Sequence, residues 1–178
     1  MKTNTSSSSL QLHLHNSIYT YDILGLTLTK EAVPELESRE YGAFRFELEG
    51  KGVIFRVAKL TPIKVGYFVT VWKKINGINA PFNSNDLDFI IIHVKDEDKQ
   101  GQFIFDKNIL IDKGIISHNN IKNGKMAFRV YPPWVNPVAK QAILTQRWQT
   151  KYFLNFEPHN LNDKNNMFRQ RLYNLLNI

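Results

Sequence analysis

The chain has 178 residues, 43% of them hydrophobic and 12% aromatic, so it is long enough to bury one substantial core and close to the usual size of a single domain. It contains no cysteine, which excludes disulfides, thiolate metal sites, iron–sulfur clusters and cysteine nucleophiles, and which fits a reducing compartment. Its 23 Lys and Arg residues exceed its 16 Asp and Glu residues, which leaves a formal net charge of +7 and favours encounters with polyanions.

The N-terminal segment is polar and rich in serine. We expect residues 1–15 to form a flexible tail ahead of a single domain over residues 16–178. The segment lacks the apolar core of a signal peptide, and no stretch of the chain has the apolar length of a transmembrane helix. The sequence therefore predicts a cytoplasmic protein with no membrane partner.

The first predicted element is a short helix, for which Asn16 is a suitable N-cap and Gly25 a C-terminal stop. Pro34, followed by ELESRE, indicates a further helical turn. Two histidines, His13 and His15, lie just before the predicted helix, and no third ligand is close in sequence. They are therefore expected to be ordinary surface residues, and the isolated His93 and His118 to be satisfied or solvated.

A hairpin begins at FRFEL, where apolar and polar residues start to alternate. The turn GKG leads to the return strand VIFRVAKL, which is apolar on both faces, as is typical of a strand that is covered on both sides. Arg56 and Lys59 lie in this strand with opposite parity, so they do not form one row of charge. Thr61–Pro62 ends the strand, because proline cannot donate to a ladder.

The rest of the chain alternates between short strands and helices. The predicted strands are 65–72, 88–94, 102–105 and 126–131; the predicted helices are a short one from Asp106 to Gly114, a longer one from Asn136–Pro137, and a final one over 160–178. This order predicts an α/β (α+β) fold in which a mixed β-sheet is flanked by helices.

Basic and aromatic residues occur together in a mixture that nucleic-acid binding uses, because cations contact phosphates and exposed rings stack on unpaired bases. The alternative is that the rings lie in the core and the cations are solvated. The candidate nucleic-acid-binding residues are Arg56, Lys59, Lys64, Lys73, Arg129, Tyr131, Trp134, Lys140 and Arg147. Binding through phosphate contacts should weaken steeply with salt.

Metal-dependent phosphodiester cleavage needs carboxylates on adjacent strands to hold a divalent cation, and a lysine to stabilise developing charge. Asp88 begins a strand and is a candidate for such a carboxylate, although it also suits a residue that closes a loop. The next strand offers Gln102 but no acid-x-lysine triplet, and glutamine lacks the charge that holds magnesium firmly. Asp88 and Gln102 are thus the candidate catalytic residues; we assign no metal site and no cofactor, and Mg²⁺ belongs only to a nuclease alternative.

Three blocks of the sequence resemble the MepB protein family, namely EYGAFRFELEGKGVIFRVAKLTPIKVGYFVTVWKK, GQFIFDKNILIDKGIIS, and AFRVYPPW followed by AKQAILTQRWQTKYF. The similarity extends from about Tyr41 to Phe153. It implies a restriction-endonuclease-like fold of the PD-(D/E)XK kind, nucleic-acid binding and a link to a multidrug-efflux operon. If Asp88 stands for the first acid of that motif, Gln102 and Ile104 replace the second acid and the lysine, so the motif is degenerate.

The sequence therefore predicts a protein that binds nucleic acid, either RNA or single- or double-stranded DNA, on an endonuclease-like scaffold that has lost catalysis. The first alternative is an active metal-dependent nuclease that uses Asp88. The second is a regulatory protein-interaction module, in which the basic surface serves solubility.

Overall fold

A computed structural model describes residues 4–119, 123–156 and 167–178. The helices within these ranges are α1 (Asn4–Ile23), α2 (Lys107–Asp112), α3 (Lys140–Gln149) and α4 (Met167–Leu176). The strands are β1 (Leu28–Pro34), β2 (Phe44–Leu48), β3 (Lys51–Val57), β4 (Lys59–Leu60), β5 (Tyr67–Thr70), β6 (Trp72–Ile75), β7 (Ile78–Pro81), β8 (Phe89–Asp96), β9 (Lys99–Asp106), β10 (Ala127–Val130) and β11 (Phe153–Asn155). None of these helices has the length and apolar character that a membrane span requires.

The largest sheet has six strands in the order β1-β2-β3-β8-β9-β11. Strands β3 and β8 run parallel, and the other neighbours are antiparallel. A three-stranded sheet, β10-β5-β4, and the β6–β7 hairpin complete the described strands. The predicted mixed sheet flanked by helices is confirmed.

The central strand β3 is buried on both faces, as its sequence predicts. Val53 and Phe55 join a cluster that includes apolar residues of α1 and α4. Ile54 and Ala58 join a second cluster, which includes residues of β5, α2 and β10. The six-stranded sheet thus separates two apolar layers, and the residue parity along β3 decides which layer each side chain enters.

The predicted hairpin of β2 and β3 is also confirmed, and β8 and β9 form a second one. Between β2 and β3 the chain turns at Glu49 and Gly50, whose φ angles are 52° and 72°, slightly earlier than the GKG turn in the sequence prediction. Strands β8 and β9 pair along their whole length, with Phe89 opposite Asp106 and His93 opposite Gln102. This register fixes the residues that meet at each end of the pair.

The N-terminal helix is longer than predicted. It begins at Asn4 rather than Asn16, so the expected flexible tail over 1–15 is helical from Asn4 onward, and residues 1–3 lie outside the described ranges. Leu14 and Tyr21 are buried against the sheet. Burial of this helical face outweighs the weak helix preference of the serine-rich sequence.

Three further elements differ from the sequence prediction. The apolar run 65–72 divides at Val71 into β5 and β6, which belong to different sheets. Helix α3 starts at Lys140 instead of Pro137, and its predicted continuation is the strand β11. Pro34, expected in a helical turn, ends β1 at the edge of the sheet, where a missing N–H is tolerated. The final helix is found as α4; its predicted beginning at 160 lies outside the described residues.

Candidate nucleic-acid interface

A groove of about 530 Å³ lies between β10 and α3. We call it the aromatic groove, because it is lined by three aromatic residues and three cations: Phe128, Tyr131, Trp148, Lys113, Lys125 and Arg129. Among the described residues that line it, none is Asp or Glu. Its charge and its flat apolar surfaces therefore suit an anionic ligand with planar rings.

Buried Gln149 fixes the two walls of the aromatic groove relative to each other. Its side-chain oxygen accepts a hydrogen bond from the Tyr131 N–H at 2.9 Å, and its amide nitrogen donates to the Arg129 carbonyl at 2.9 Å. The side chain thus satisfies the backbone of β10 and its extension much as a neighbouring strand would. The groove is consequently held in shape by the fold itself.

The aromatic side chains of the groove are half-buried. Trp148 packs against Phe105, with ring centroids 5.3 Å apart, and the Lys113 ammonium lies 5.8 Å from the Trp148 ring centroid. A Cβ added at Gly66 would lie only 2.6 Å from the ring of Tyr131, so the backbone at Gly66 packs directly on this ring. Both rings are therefore anchored on one side while still lining the groove.

The three cations of the groove differ in how far protein partners already engage them. Arg129 donates to the Lys64 and Gly66 carbonyls at 3.2 and 3.0 Å and to the Thr61 hydroxyl at 2.7 Å. Its guanidinium thereby holds the adjacent loop. Lys113 pairs with Asp112 at 2.6 Å, whereas Lys125 is exposed and is the better candidate for a direct phosphate contact.

Arg56, a predicted phosphate contact, lies in the core. Its side chain has no exposed area and forms an ion pair with Glu35 at 2.5 Å, while Nη1 donates to the Phe55 carbonyl at 2.9 Å. Burial lowers the pKa of the Arg56 guanidinium, and the carboxylate of Glu35 offsets part of this effect. The structure leaves this cation no access to a ligand, because its strand is covered on both faces.

The other predicted lysines before β8 lie outside the groove lining. The Lys59 ammonium lies 4.8 Å from the Tyr41 ring centroid, and Lys73 pairs with Asp86 at 2.6 Å. Lys64 is exposed on the loop that Arg129 holds, so it is close to the groove.

The remaining candidates lie around α3. Trp134 donates to the Tyr67 hydroxyl at 3.3 Å and packs edge-on against Phe153, which makes it a poor platform for stacking. Lys140 and Arg147 are exposed on α3, next to the helix face that lines the groove. The structure thus brings Arg129 and Tyr131 together from the predicted set.

Lys113, Lys125 and Phe128 were missed by the sequence analysis. Lys125 precedes a strand that the sequence identifies and Phe128 lies within it, so their proximity to Arg129 was detectable. Lys113 follows α2, and only the tertiary packing of α2 beside Trp148 brings it to the groove. No local pattern carries that information.

A second cleft, of about 450 Å³, contains Asp88. Lys51, Asp106 and Lys107 also line it, because the beginning of β3 and the end of β9 meet there. Asp88 accepts hydrogen bonds from the Gly52 N–H and the Lys107 ammonium, both at 2.9 Å. Burial alone would raise the pKa of Asp88, but Lys107, the Gly52 N–H and Lys51 outweigh it and hold that pKa below its ordinary value.

Gln102 does not face Asp88. It lies opposite His93, further along the β8–β9 pair, and it is fully buried. Its side chain accepts from the Tyr21 hydroxyl at 2.5 Å and donates to the Ser17 hydroxyl at 2.7 Å. Gln102 thus connects α1 to the sheet, and the residues that accompany Asp88 are Asp106 and Lys107 instead.

In the Asp88 cleft a divalent cation would compete with the hydrogen-bond donors that the two carboxylates already have. Magnesium requires carboxylate oxygens that are free to complete an octahedron. Both oxygens of Asp88 have donors, and Asp106 accepts from the Ile109 N–H at 3.0 Å as the N-cap of α2. Over residues 4–119, 123–156 and 167–178, no group of three or more His, Asp and Glu side chains is placed to hold a metal.

Comparisons with known proteins identify the family of the chain. The family model described as MepB-like matches residues 35–155, and the comparison with curated proteins gave no match. The crystal structure of MepB is similar, with a TM-score of 0.70 and 38% identity over 80% of this chain and 96% of that one. A bacterial homing endonuclease, I-Ssp6803I, has a TM-score of 0.43 and 13% identity over 83% of this chain and 91% of its own. The chain belongs to the MepB-like family.

Proposed function

We propose that the protein binds nucleic acid, RNA or DNA, in the aromatic groove and that it does not cleave the bound strand. One observation carries the proposal: three cations and three aromatic rings share one groove whose described lining residues include no carboxylate. Aromatic rings stack on unpaired bases, and cations attract the phosphates between them. The net charge of +7 supports the encounter with a polyanion.

The shape of the groove favours a single strand. Its volume of about 530 Å³ is within the usual range for sites that take small planar ligands. The rings of Tyr131 and Trp148 line the groove, and a base must leave its own stack to contact them. Lys125 lines the same groove and Lys64 is on the loop that Arg129 holds, so both are candidates to contact the phosphates of an inserted base.

The Asp88 cleft supports binding without cleavage. Asp88 accepts from Lys107 and the Gly52 N–H, so a metal would compete with these donors for its oxygens, whereas a phosphate would meet two lysines, Lys51 and Lys107. The endonuclease-like scaffold and the link to a multidrug-efflux operon are implied by the family resemblance.

The test is fluorescence anisotropy with short labelled strands of RNA and DNA and with a duplex. Tyr131→Ala should weaken single-strand binding by about 1–3 kcal/mol, the usual contribution of one stacked base. Lys125→Gln should weaken it by a smaller factor for every sequence, because it removes a phosphate contact. Lys99→Gln is the matched control, because exposed Lys99 begins β9 and does not line the groove. This variant should bind like the wild type. Absence of salt-sensitive binding by the wild type at micromolar concentration contradicts the proposal.

The same preparations test the two alternatives. Incubation with plasmid and RNA in magnesium or manganese should yield no products. Products that disappear with Asp88→Ala would establish the nuclease instead. Recovery of a stoichiometric protein partner, with no nuclease-sensitive material, would favour the regulatory interaction module.

A further inference from the structure

The loop between β4 and β5, residues 61–66, carries an unusually exposed apolar tip. Ile63 is 94% exposed, the highest value for a large apolar side chain among the residues described, and Leu60 and Val65 beside it are 56% and 51% exposed. Single exposed apolar residues are ordinary, but adjacent ones on a projecting loop indicate a contact surface.

This loop is held in a fixed shape although its tip is outside the core. The three hydrogen bonds from Arg129 reach Thr61, Lys64 and Gly66, which are spread along the loop. Gly66 has a φ of 88°, and its backbone packs on the ring of Tyr131. Half-buried Arg129 thus uses three hydrogen bonds to hold the loop in a shape that leaves Ile63 exposed to solvent.

The loop stands at the edge of the aromatic groove, because Arg129 and Tyr131 contact it from one side and line the groove from the other. Lys59 and Lys64 flank the apolar tip, and residues 59–66 contain no acidic side chain. An apolar point between two cations complements the edge of a base stack, which lies between two phosphate backbones.

We propose that loop 61–66 is a strand-separating wedge and that Ile63 inserts at the junction between a duplex and a single strand. This inference rests on the proposed nucleic-acid function and specifies its substrate class. Isoleucine is among the side chains that proteins insert between base steps. The wedge unstacks the last base pair, and the released strand enters the adjacent aromatic groove, where its bases regain stacking on Tyr131 and Trp148.

The test uses a hairpin oligonucleotide with a single-stranded extension and a fluorescent base analogue in the last pair, whose emission rises when it unstacks. The wedge variant is Ile63→Ser. Its matched control is Ile78→Ser, because Ile78 is 72% exposed on β7, a strand that contributes no residue to the groove lining. Both changes are at exposed positions, so both proteins should fold.

The wild type and Ile78→Ser should raise the emission and bind the junction more tightly than the single strand. Ile63→Ser should bind the single strand normally, lose the rise in emission, and bind the junction roughly tenfold more weakly, as expected from one lost apolar contact. If Ile63→Ser raises the emission as much as the wild type does, the wedge is overturned, although the proposal of single-strand binding stands. Failure of the wild type to bind the single strand overturns the proposed function and the wedge with it. If the protein binds anionic vesicles through Ile63 and Ile63→Ser has no effect at the junction, the loop contacts lipid instead, and the wedge is also overturned.

Discussion

Arg56 joins three parts of the molecule through one side chain. Its guanidinium pairs with Glu35, and its Nε donates to the Thr70 carbonyl of β5 at 3.3 Å. It also lies 5.7 Å from the ring centroid of Phe82. A charge without exposed area persists only where such partners replace water, so Arg56 connects the six-stranded sheet to the layer above it.

We expect Arg56→Met to lower the free energy of unfolding by about 3 kcal/mol, because the buried Oε2 of half-buried Glu35 loses its partner. The exposed Arg45, at 3.2 Å from Glu35, keeps the loss at this lower end of the usual range. Urea denaturation measures the effect, and adding Glu35→Leu should restore part of it. Binding of labelled RNA by the folded variant should be unchanged. Weaker binding without a loss of stability would instead show that Arg56 contacts the nucleic acid.

The sequence predicts part of this arrangement. Apolar residues on both faces of VIFRVAKL predict that Arg56 lies in a strand without a solvent face, and the structure confirms that both faces of β3 are covered. The partner was not predictable, because Glu35 follows the edge strand β1 and reaches Arg56 only through the tertiary course of that loop. A strand pattern gives the direction of a side chain but not the residue that meets it.

The contact between α1 and the sheet contains an imidazole pair. The rings of His13 and His93 stack with centroids 4.6 Å apart, and neither ring nitrogen of the buried His93 has a hydrogen-bond partner among the described residues. Burial, followed by the charges of His13 and Lys95, lowers the pKa of His93 to about 3. His93 is therefore neutral in the folded protein at neutral pH.

This pairing predicts an acid-sensitive attachment of α1. Below pH 6.5 the unfolded chain protonates this histidine and the folded chain does not, until the pH approaches the folded-state pKa of about 3. The contribution of neutral His93 to the free energy of unfolding is therefore present above pH 6.5 and is lost as the pH falls from 6.5 towards 3. At pH 5 the loss from this one group is about 2 kcal/mol. Urea unfolding at a series of pH values measures the loss. His93→Met should flatten the profile, whereas the exposed His15→Gln should not; equal slopes for all three proteins would exclude the assignment.

Elements were predictable where their signal is local. The β2–β3 hairpin follows from alternation and turn residues, and α2 follows from Asp106, whose side chain caps the helix as expected. Strands β1 and β11 lie at the edges of the sheet, and nothing in their own sequence selects strand over helix until a neighbour offers its backbone. The same holds for the Asp88 cleft, since the pairing register of β8 and β9, and not residue spacing, brings Asp106 and Lys107 to it.

In the whole molecule, α2 lies between the two clefts. Lys107 at its start lines the Asp88 cleft, and Lys113 just after its end lines the aromatic groove. A six-residue helix is about 9 Å long at 1.5 Å per residue. In the proposed complex, a strand whose bases stack in the groove would have its backbone close to a second pair of lysines, Lys51 and Lys107, which would extend the electrostatic footprint.

The footprint predicts how binding depends on salt. If Lys64, Lys113, Lys125 and the two lysines of the Asp88 cleft each neutralise one phosphate, the logarithm of the binding constant for a single strand should fall with the logarithm of salt concentration at a slope of about −3.5. Lys125→Gln should make this slope shallower by about 0.7, since each contact releases its share of counterions. Tyr131→Ala should weaken binding at every salt concentration and leave the slope unchanged, because stacking releases no counterion. Anisotropy titrations over a range of salt concentrations separate these effects. If Lys99→Gln changes the slope as much as Lys125→Gln, the attraction comes from the net charge of the whole protein and the phosphates have no defined place beside the aromatic groove.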